Sequence, residues 1–166
     1  MTAPKSTRWE KPGDASVRAA QALKARFGDA VIETAVFRGE VTVLVQPARI
    51  VEICNFLKLD PDHSFEMLID LTGIHFLDRD WEYELLYHLY SFRSNARLRV
   101  KTRLAETNRI ATVTGVWRGA DWQEREAFDL VGVVFDGHPD LRRILMPEDF
   151  EFHPLRRDFP LEGHGA

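Results

Sequence analysis

The side chains best equipped for chemistry gather near the C-terminal end of the chain: His138, His153 and His164, the pairs Arg142–Arg143 and Arg156–Arg157, and carboxylates from Glu124 to Asp158. Histidines beside carboxylates can bind a metal or move a proton near neutral pH. The spacing of these three matches no helix-borne or ribbon-like ligand set, so hydrogen-bonded turn histidines are the expected use. Glu124 and Glu126 stand two residues apart, and on a helix they point in different directions, which disfavours a shared acid–base site. The four arginines can clamp a phosphate or a carboxylate. Each pair, however, has Asp140, Glu148, Asp149 or Asp158 beside it, which makes ion pairing within or between chains the expected role. The chain also lacks a G-x-G-x-x-G after a strand, a G-x-x-x-x-G-K-[ST], an H-E-x-x-H and a G-x-S-x-G. Catalytic, cofactor-binding and metal-binding residues are therefore expected to be absent from this chain.

The single cysteine, Cys54, excludes an intrachain disulfide and cannot supply the four ligands of an iron–sulfur cluster. In an apolar stripe it reads as a small hydrophobe. A length of 166 residues points to one core, and 45% apolar with 29% charged residues is ordinary for a globular chain. No apolar run reaches the roughly 18 residues needed to cross a bilayer. Nor does the start of the chain carry a stretch of signal-peptide length, so the cytoplasm is expected. The net charge of -4 repels nucleic acid on average, and although a local basic stripe at Arg97, Arg99, Lys101 and Arg103 leaves that partner open, a solvated strand face is the expected reading.

These residues must be positioned by a scaffold, and its elements are legible as periodicities. Asp14 is placed to cap a helix whose apolar positions include Val17, Ala20, Leu23 and Phe27, with Gly28 at its stop. Ala30 to Phe37 and Val41 to Gln46, around Arg38, Gly39 and Glu40, predict a hairpin. Pro47 suits the first position of a second helix with Ile50, Ile53, Cys54, Phe56 and Leu57 on one side. Asp60 to Asp62 break it, and Ser64 to Phe76 is read as a strand. Trp81 to Phe92 and Arg97 to Leu104 form the clearest strand pair. In the second, Arg97, Arg99, Lys101 and Arg103 alternate with Leu98, Val100, Thr102 and Leu104, giving one cationic and one core face. Glu82, Glu84 and His88 across the hairpin are the expected charge partners.

Asp121 and Glu124 have the D-x-x-E form of a capping box before a helix with Trp122, Ala127, Phe128, Leu130 and Val131 on one side. Glu124, Arg125, Glu126 and Asp129 form its charged complement, Arg125 and Asp129 being spaced to meet on the helix surface, and Gly132 ends it. Beyond lies a segment that Pro139, Pro147, Pro154 and Pro160 keep extended. It nevertheless carries Leu141, Ile144, Leu145, Met146, Phe150, Phe152, Leu155 and Phe159, too apolar a set to stay in water. Such a segment must lie on its own domain or on another chain, and the expectation is a companion polypeptide, with arginine and aromatic anchors. The expected class is thus α+β: a two-layer domain with helices on one face of a mixed or antiparallel sheet, followed by an extended C-terminal arm. Residues 1–12 are read as a flexible N-terminus, 13–120 as the α+β domain, and 121–166 as a capped helix plus partner-binding arm.

The run W-Q-E-R-E-A-F-D-L-V-G-V-V-F-D-G-H-P-D-L-R-R-I-L-M-P-E-D-F from Trp122 to Phe150, followed by H-P-L-R-R-D-F-P-L from His153 to Leu161, resembles the signature of the 30 kDa or C subunit of the proton-pumping NADH:quinone oxidoreductases, the respiratory complex I family. Tyr87-His88-Leu89 before Arg97 to Lys101 is similar to that family's central hairpin. Two departures stand out: Phe128 where the family often has tyrosine, and Phe152 before His153 where glycine is common. The end at Ala166 resembles the separate polypeptide and not the version fused to the D subunit. The resemblance implies a non-catalytic subunit of the peripheral arm, on the cytoplasmic face of the inner membrane and touching the membrane only through the assembled complex. It implies the D and B subunits as partners, FMN and iron–sulfur clusters held by other polypeptides, and NADH and quinone as substrates of the whole complex. The partner-binding residues it marks are Glu124, Arg125, Glu126, Asp129, His138, Pro139, Arg142, Arg143, Phe150, His153, Arg156, Arg157 and Phe159. A related membrane-bound hydrogenase or formate-oxidising complex, which shares much of the C-terminal pattern, is the alternative.

Overall fold

A computed structural model describes residues 13–105, 107–160 and 162. The expected flexible N-terminus, His164 and Leu161 lie outside these residues. Helix α1 (Asp14–Phe27) is followed by the hairpin β1 (Val31–Phe37) and β2 (Glu40–Val45), helix α2 (Ile50–Leu59), strands β3 (Met67–His75), β4 (Tyr83–Ser91), β5 (Ala96–Leu104) and β6 (Arg109–Ala111), helix α3 (Ala120–Val131) and strand β7 (Val134–Asp136). Asp14 does not cap α1: Gly13 holds the cap position without a side-chain bond, and Asp14 is the first helical residue, where its charge still suits the helix dipole. Pro47 opens a short 3₁₀ turn (Pro47–Arg49) ahead of α2.

Five strands form one sheet in the order β1-β2-β5-β4-β3. Its hairpin neighbours are antiparallel and β2 runs parallel to β5, so the sheet is mixed and the class is the expected α+β. Arg38 and Gly39 both have positive φ, 50° and 79°, as the two-residue turn between β1 and β2 demands. The pleat then sorts side chains by period two. Leu85, Tyr87 and Leu89 of β4 and Leu98, Val100 and Thr102 of β5 face inward and are almost fully buried. Val41, Val43 and Val45 of β2 join them, and Ala20 and Leu23 of α1, Ile53 and Leu57 of α2 and Ala127 and Val131 of α3 complete this core. All three helices therefore cover one face.

The opposite face carries the cations, and most are matched. Glu84, nearly buried, takes Lys101 at 2.7 Å and Arg103 at 3.1 Å, and Arg99 meets Glu40 at 2.5 Å. The Arg103 guanidinium lies 3.9 Å over the Trp81 ring. A second, two-stranded parallel sheet of β6 and β7 was not foreseen. At three residues each, these strands are too short to leave a period in the sequence. They matter because they fix the chain where the C-terminal segment leaves the body.

Candidate partner-binding site

Helix α3 is the element on which the C-terminal segment is built, and its charged residues do not form a solvated face. Glu124, Arg125 and Asp129 are buried, and of the charged set expected at the surface only Glu126 is exposed. The capping box does not form either. Gly119 holds the cap position without a side-chain bond, and Glu124 turns into the body, where Oε1 accepts the Val113 N–H at 2.7 Å and Oε2 the Thr112 hydroxyl at 2.5 Å. Reaching those interior donors satisfies the carboxyl better than the helix end would, but it removes water. Burial, helped by the Asp121 charge and opposed by the two hydrogen bonds, lifts Glu124 to about 7.

His138, its side chain fully buried, sits against the same carboxyl, with Nε2 4.0 Å from Glu124 Oε2 and 3.5 Å from Asp121 Oδ1. Its Nδ1 accepts the Asp140 N–H at 3.0 Å, so the proton is on Nε2, which donates to the Asp121 carbonyl at 3.2 Å. Gly137–His138–Pro139 is thus anchored at the root of the segment, with Pro139 exposed.

Asp129, fully buried, is the main fastening. Its Oδ2 accepts the N–H groups of Ile144, Leu145 and Met146 at 3.0, 2.7 and 2.8 Å, and Arg143 Nη1 donates to Oδ1 at 2.5 Å. Burial raises this carboxyl's pKa, but the three amides and the guanidinium outweigh it and hold Asp129 at about 2. Arg125 does not pair with Asp129 as the i,i+4 spacing suggested. It donates Nε–H to Arg142 O at 3.2 Å and Nη2–H to Arg143 O at 3.1 Å, and Trp122 lies 5.5 Å from its guanidinium. Five backbone groups of residues 142–146, two carbonyls and three amides, are therefore satisfied by two side chains of α3. That is how a segment without regular structure can lie against the protein with these backbone groups paired.

Further along, the same segment closes the end of α3. His153 Nδ1–H donates to Asp129 O at 2.9 Å, the Leu155 N–H bonds Leu130 O at 2.9 Å, and Arg143 Nη2 reaches Phe152 O at 3.1 Å. The first two occupy carbonyls that a helix C-terminus leaves unpaired. Beyond them the Arg157 N–H is accepted by Nδ1 of His75, which is nearly buried at the end of β3 with its ring centroid 5.0 Å from that of Tyr83 at a 44° tilt. Burial and the Arg156 charge hold His75 below its ordinary pKa, so it is neutral and free to accept. Arg156 lies over Tyr83 and pairs with Asp158 at 3.1 Å, Arg142 pairs with Asp140 at 2.9 Å in the open, and Arg157 is exposed.

The apolar side chains behave differently from the backbone. Phe150, Phe152 and Phe159 meet in a cluster with centroids 5.8 to 6.3 Å apart, Phe152 being 39% exposed, while Leu145 and Leu155 are 62% and 61% exposed. The expectation that only a companion chain covers this segment is thus corrected in one respect: its backbone is seated on α3 and Leu141 packs against the chain's own core, while Leu145 and Leu155 stay exposed. Thr112, Val113 and His75 had not been singled out. His75 carries no signal in the sequence, whereas an aspartate in the last turn of a helix, Asp129, opposes the dipole and so hints at a binding partner elsewhere.

Comparison with known proteins bears on this arrangement. A model of the family described as respiratory-chain NADH dehydrogenase, 30 kDa subunit, matches residues 43–165. The NADH-quinone oxidoreductase C subunit of Roseiflexus sp. (strain RS-1) is 46% identical over 140 residues, covering 84% of this chain and 80% of its own. The C subunit of the Geobacter metallireducens enzyme is 47% identical over 150 residues, covering 89% and 91%. Among solved structures, a trypsin-resistant fragment (1-134) of Nqo5 superposes with a TM-score of 0.60 at 28% identity, covering 75% of this chain and 99% of that one. A chain of an archaeal membrane-bound sulfane sulfur reductase, a respiratory membrane complex, shares the fold with a TM-score of 0.72 at 24% identity, covering 87% and 85%.

Proposed function

Because the chain belongs to the 30 kDa subunit family of respiratory-chain NADH dehydrogenases, we propose that it is the non-catalytic C subunit of an NADH:quinone oxidoreductase, joining its neighbours through the segment seated on α3. Those neighbours are the D and B subunits. FMN and iron–sulfur clusters in other polypeptides carry electrons from NADH to quinone, coupled to proton translocation, and this chain keeps those polypeptides in register. It sits peripherally on the cytoplasmic face of the membrane; among the described residues no helix is long and apolar enough to cross one.

The observation that carries the reading is the division of labour along residues 142–159. The backbone is fastened inward by Arg125, Asp129 and His75, while Leu145 and Leu155 turn outward. A chain that commits two buried charges to holding apolar side chains in water presents them to something. The test is truncation after Asp136, the end of β7, with the variant co-expressed with the rest of the complex. The expected result is a folded chain recovered in the assembled complex at about a tenth of the normal yield or less, with NADH:quinone activity falling in parallel. Normal yield and activity would refute the reading.

A further inference from the structure

The sheet has two edges, and the described residues cover only one of them. Along β3, α3 packs closely enough for Gln123 to donate Nε2–H to Ile69 O at 3.2 Å, and residues 156–158 cross its end at His75. β1 is the other edge, and among the described residues no strand pairs with its outer side. Phe37 and Glu40 flank the two-residue turn, so Phe37, Ala35 and Glu33 direct their amides into the ladder with β2. By the same alternation Thr34 and Val36 direct their N–H and C=O groups outward.

The start of this edge is blunted: the register shifts between Val31 and Glu33, and Lys24 Nζ donates to Val31 O at 2.7 Å. From Glu33 onward nothing comparable protects it among the described residues. Ile32, Val36 and Phe37 are 57%, 51% and 70% exposed, Glu33 is the one charged residue of the strand, and β1 contains no proline. Long apolar edges of this kind template pairing unless another strand covers them. The row of free backbone groups also dictates the occupant's conformation, since only an extended segment presents donors and acceptors at matching intervals. Its side chains are constrained as well. Thr34 and Val36 share a face of the sheet with Val43 and Val41 but are themselves exposed, and call for apolar partners; Glu33, on the other face, calls for a lysine or arginine.

We propose that the outer edge of β1, from Glu33 to Phe37, accepts an extended strand from a neighbouring polypeptide of the assembly, adding a sixth strand to the sheet. The inference rests on membership of a multisubunit complex but not on what the C-terminal segment grips. Amide hydrogen exchange, read on the full chain alone and within the purified complex, tests it directly. The Thr34 and Val36 amides exchange rapidly in the free chain and are slowed by about a hundredfold or more in the complex. A second arm uses Thr34→Pro, which deletes an outward donor and leaves the bonds to β2. That variant retains its melting temperature to within about 5 °C and enters the complex several-fold less well. Equal exchange in both states overturns the proposal, and so does slow exchange already present in the free chain, which means that its own residues cover the edge. Thr34→Pro assembling at the wild-type level overturns it too. Should Thr34→Pro not fold, exchange in the wild-type protein decides. Because the β1 measurement uses the intact C-terminal segment, failure of the truncation test above leaves its outcome readable.

Discussion

Asp129 and Glu124 are two buried carboxyls of one helix, opposite in their dependence on pH. The Asp129 pKa of about 2 lies below the usual 3.8, so its contribution to stability is full above about pH 4 and is lost as the pH falls through 2. Asp129→Asn keeps the shape but places an amide where three N–H donors and a guanidinium converge. We expect a loss of about 3 kcal/mol in urea unfolding, the cost of breaking a buried charged pair, with tryptic cleavage at Arg142 and Arg143 speeding up in step. Glu124 behaves in the reverse sense. Its pKa of about 7 in the fold exceeds the ordinary 4.5, so the folded state holds a proton that the unfolded chain releases. That stabilisation is complete below about pH 4.5 and disappears as the pH rises through 7. Glu124→Gln, which mimics the protonated form, is expected to flatten the decline in stability between about pH 5 and 8 and to equal or exceed the wild type at the upper end; unfolding titrations across that range decide it. Neither behaviour was legible from periodicity. A polar residue in a helical pattern reads as solvent-facing, and the donors that draw Glu124 and Asp129 inward come from residues 112–113 and 143–146, whose proximity only the tertiary fold creates.

At the scale of elements, α3 and the segment after it form one unit joined at Gly132. That residue has φ +90°, and a Cβ there would stand 2.7 Å from Cδ2 of His153, which caps the helix through Asp129 O. Two penalties therefore coincide: a left-handed conformation costing an ordinary residue about 1–2 kcal/mol, and displacement of the imidazole. Gly132→Ala should destabilise the protein by about 3 kcal/mol, and adding His153→Ala should recover the steric part while leaving the backbone part. Simple additivity of the two changes in thermal unfolding would show that the close approach is not what matters. The role of Gly132 as a helix stop was readable from its place after Val131, as were the hairpin around Gly39 and the alternation in β5. What escaped was short or non-local. β6 and β7 have three residues each, and the capping box lost to the interior because its glutamate had a better partner there. Propensity describes what a segment prefers alone; Glu124 shows tertiary contacts overruling it.

Over the whole molecule, exposed apolar groups include one set along the β1 edge and another in the segment after α3, while the open face of the sheet neutralises itself through Glu84 and Glu40. The alternating pattern of Arg97 to Arg103 made that cationic face readable, and the order of the strands settled which acids answer it. The apolar tail was equally plain in the sequence, but which of its groups the body keeps could not be read there, because Asp129 and Arg125 had been assigned to solvent. Largely exposed side chains can be changed with little effect on the chain's own stability. Leu145→Glu with Leu155→Glu leaves intact the amides that bond Asp129 and Leu130, so the free chain should melt within about 0.5 kcal/mol of the wild type. Within the complex the same two carboxylates would be buried against an apolar surface, a cost of several kcal/mol that falls on assembly alone. The expected outcome is an isolated chain indistinguishable by thermal unfolding and a purified complex depleted of it by about tenfold or more. A variant that unfolds early would assign the leucines to the chain's own core, and one that assembles fully would leave them in water.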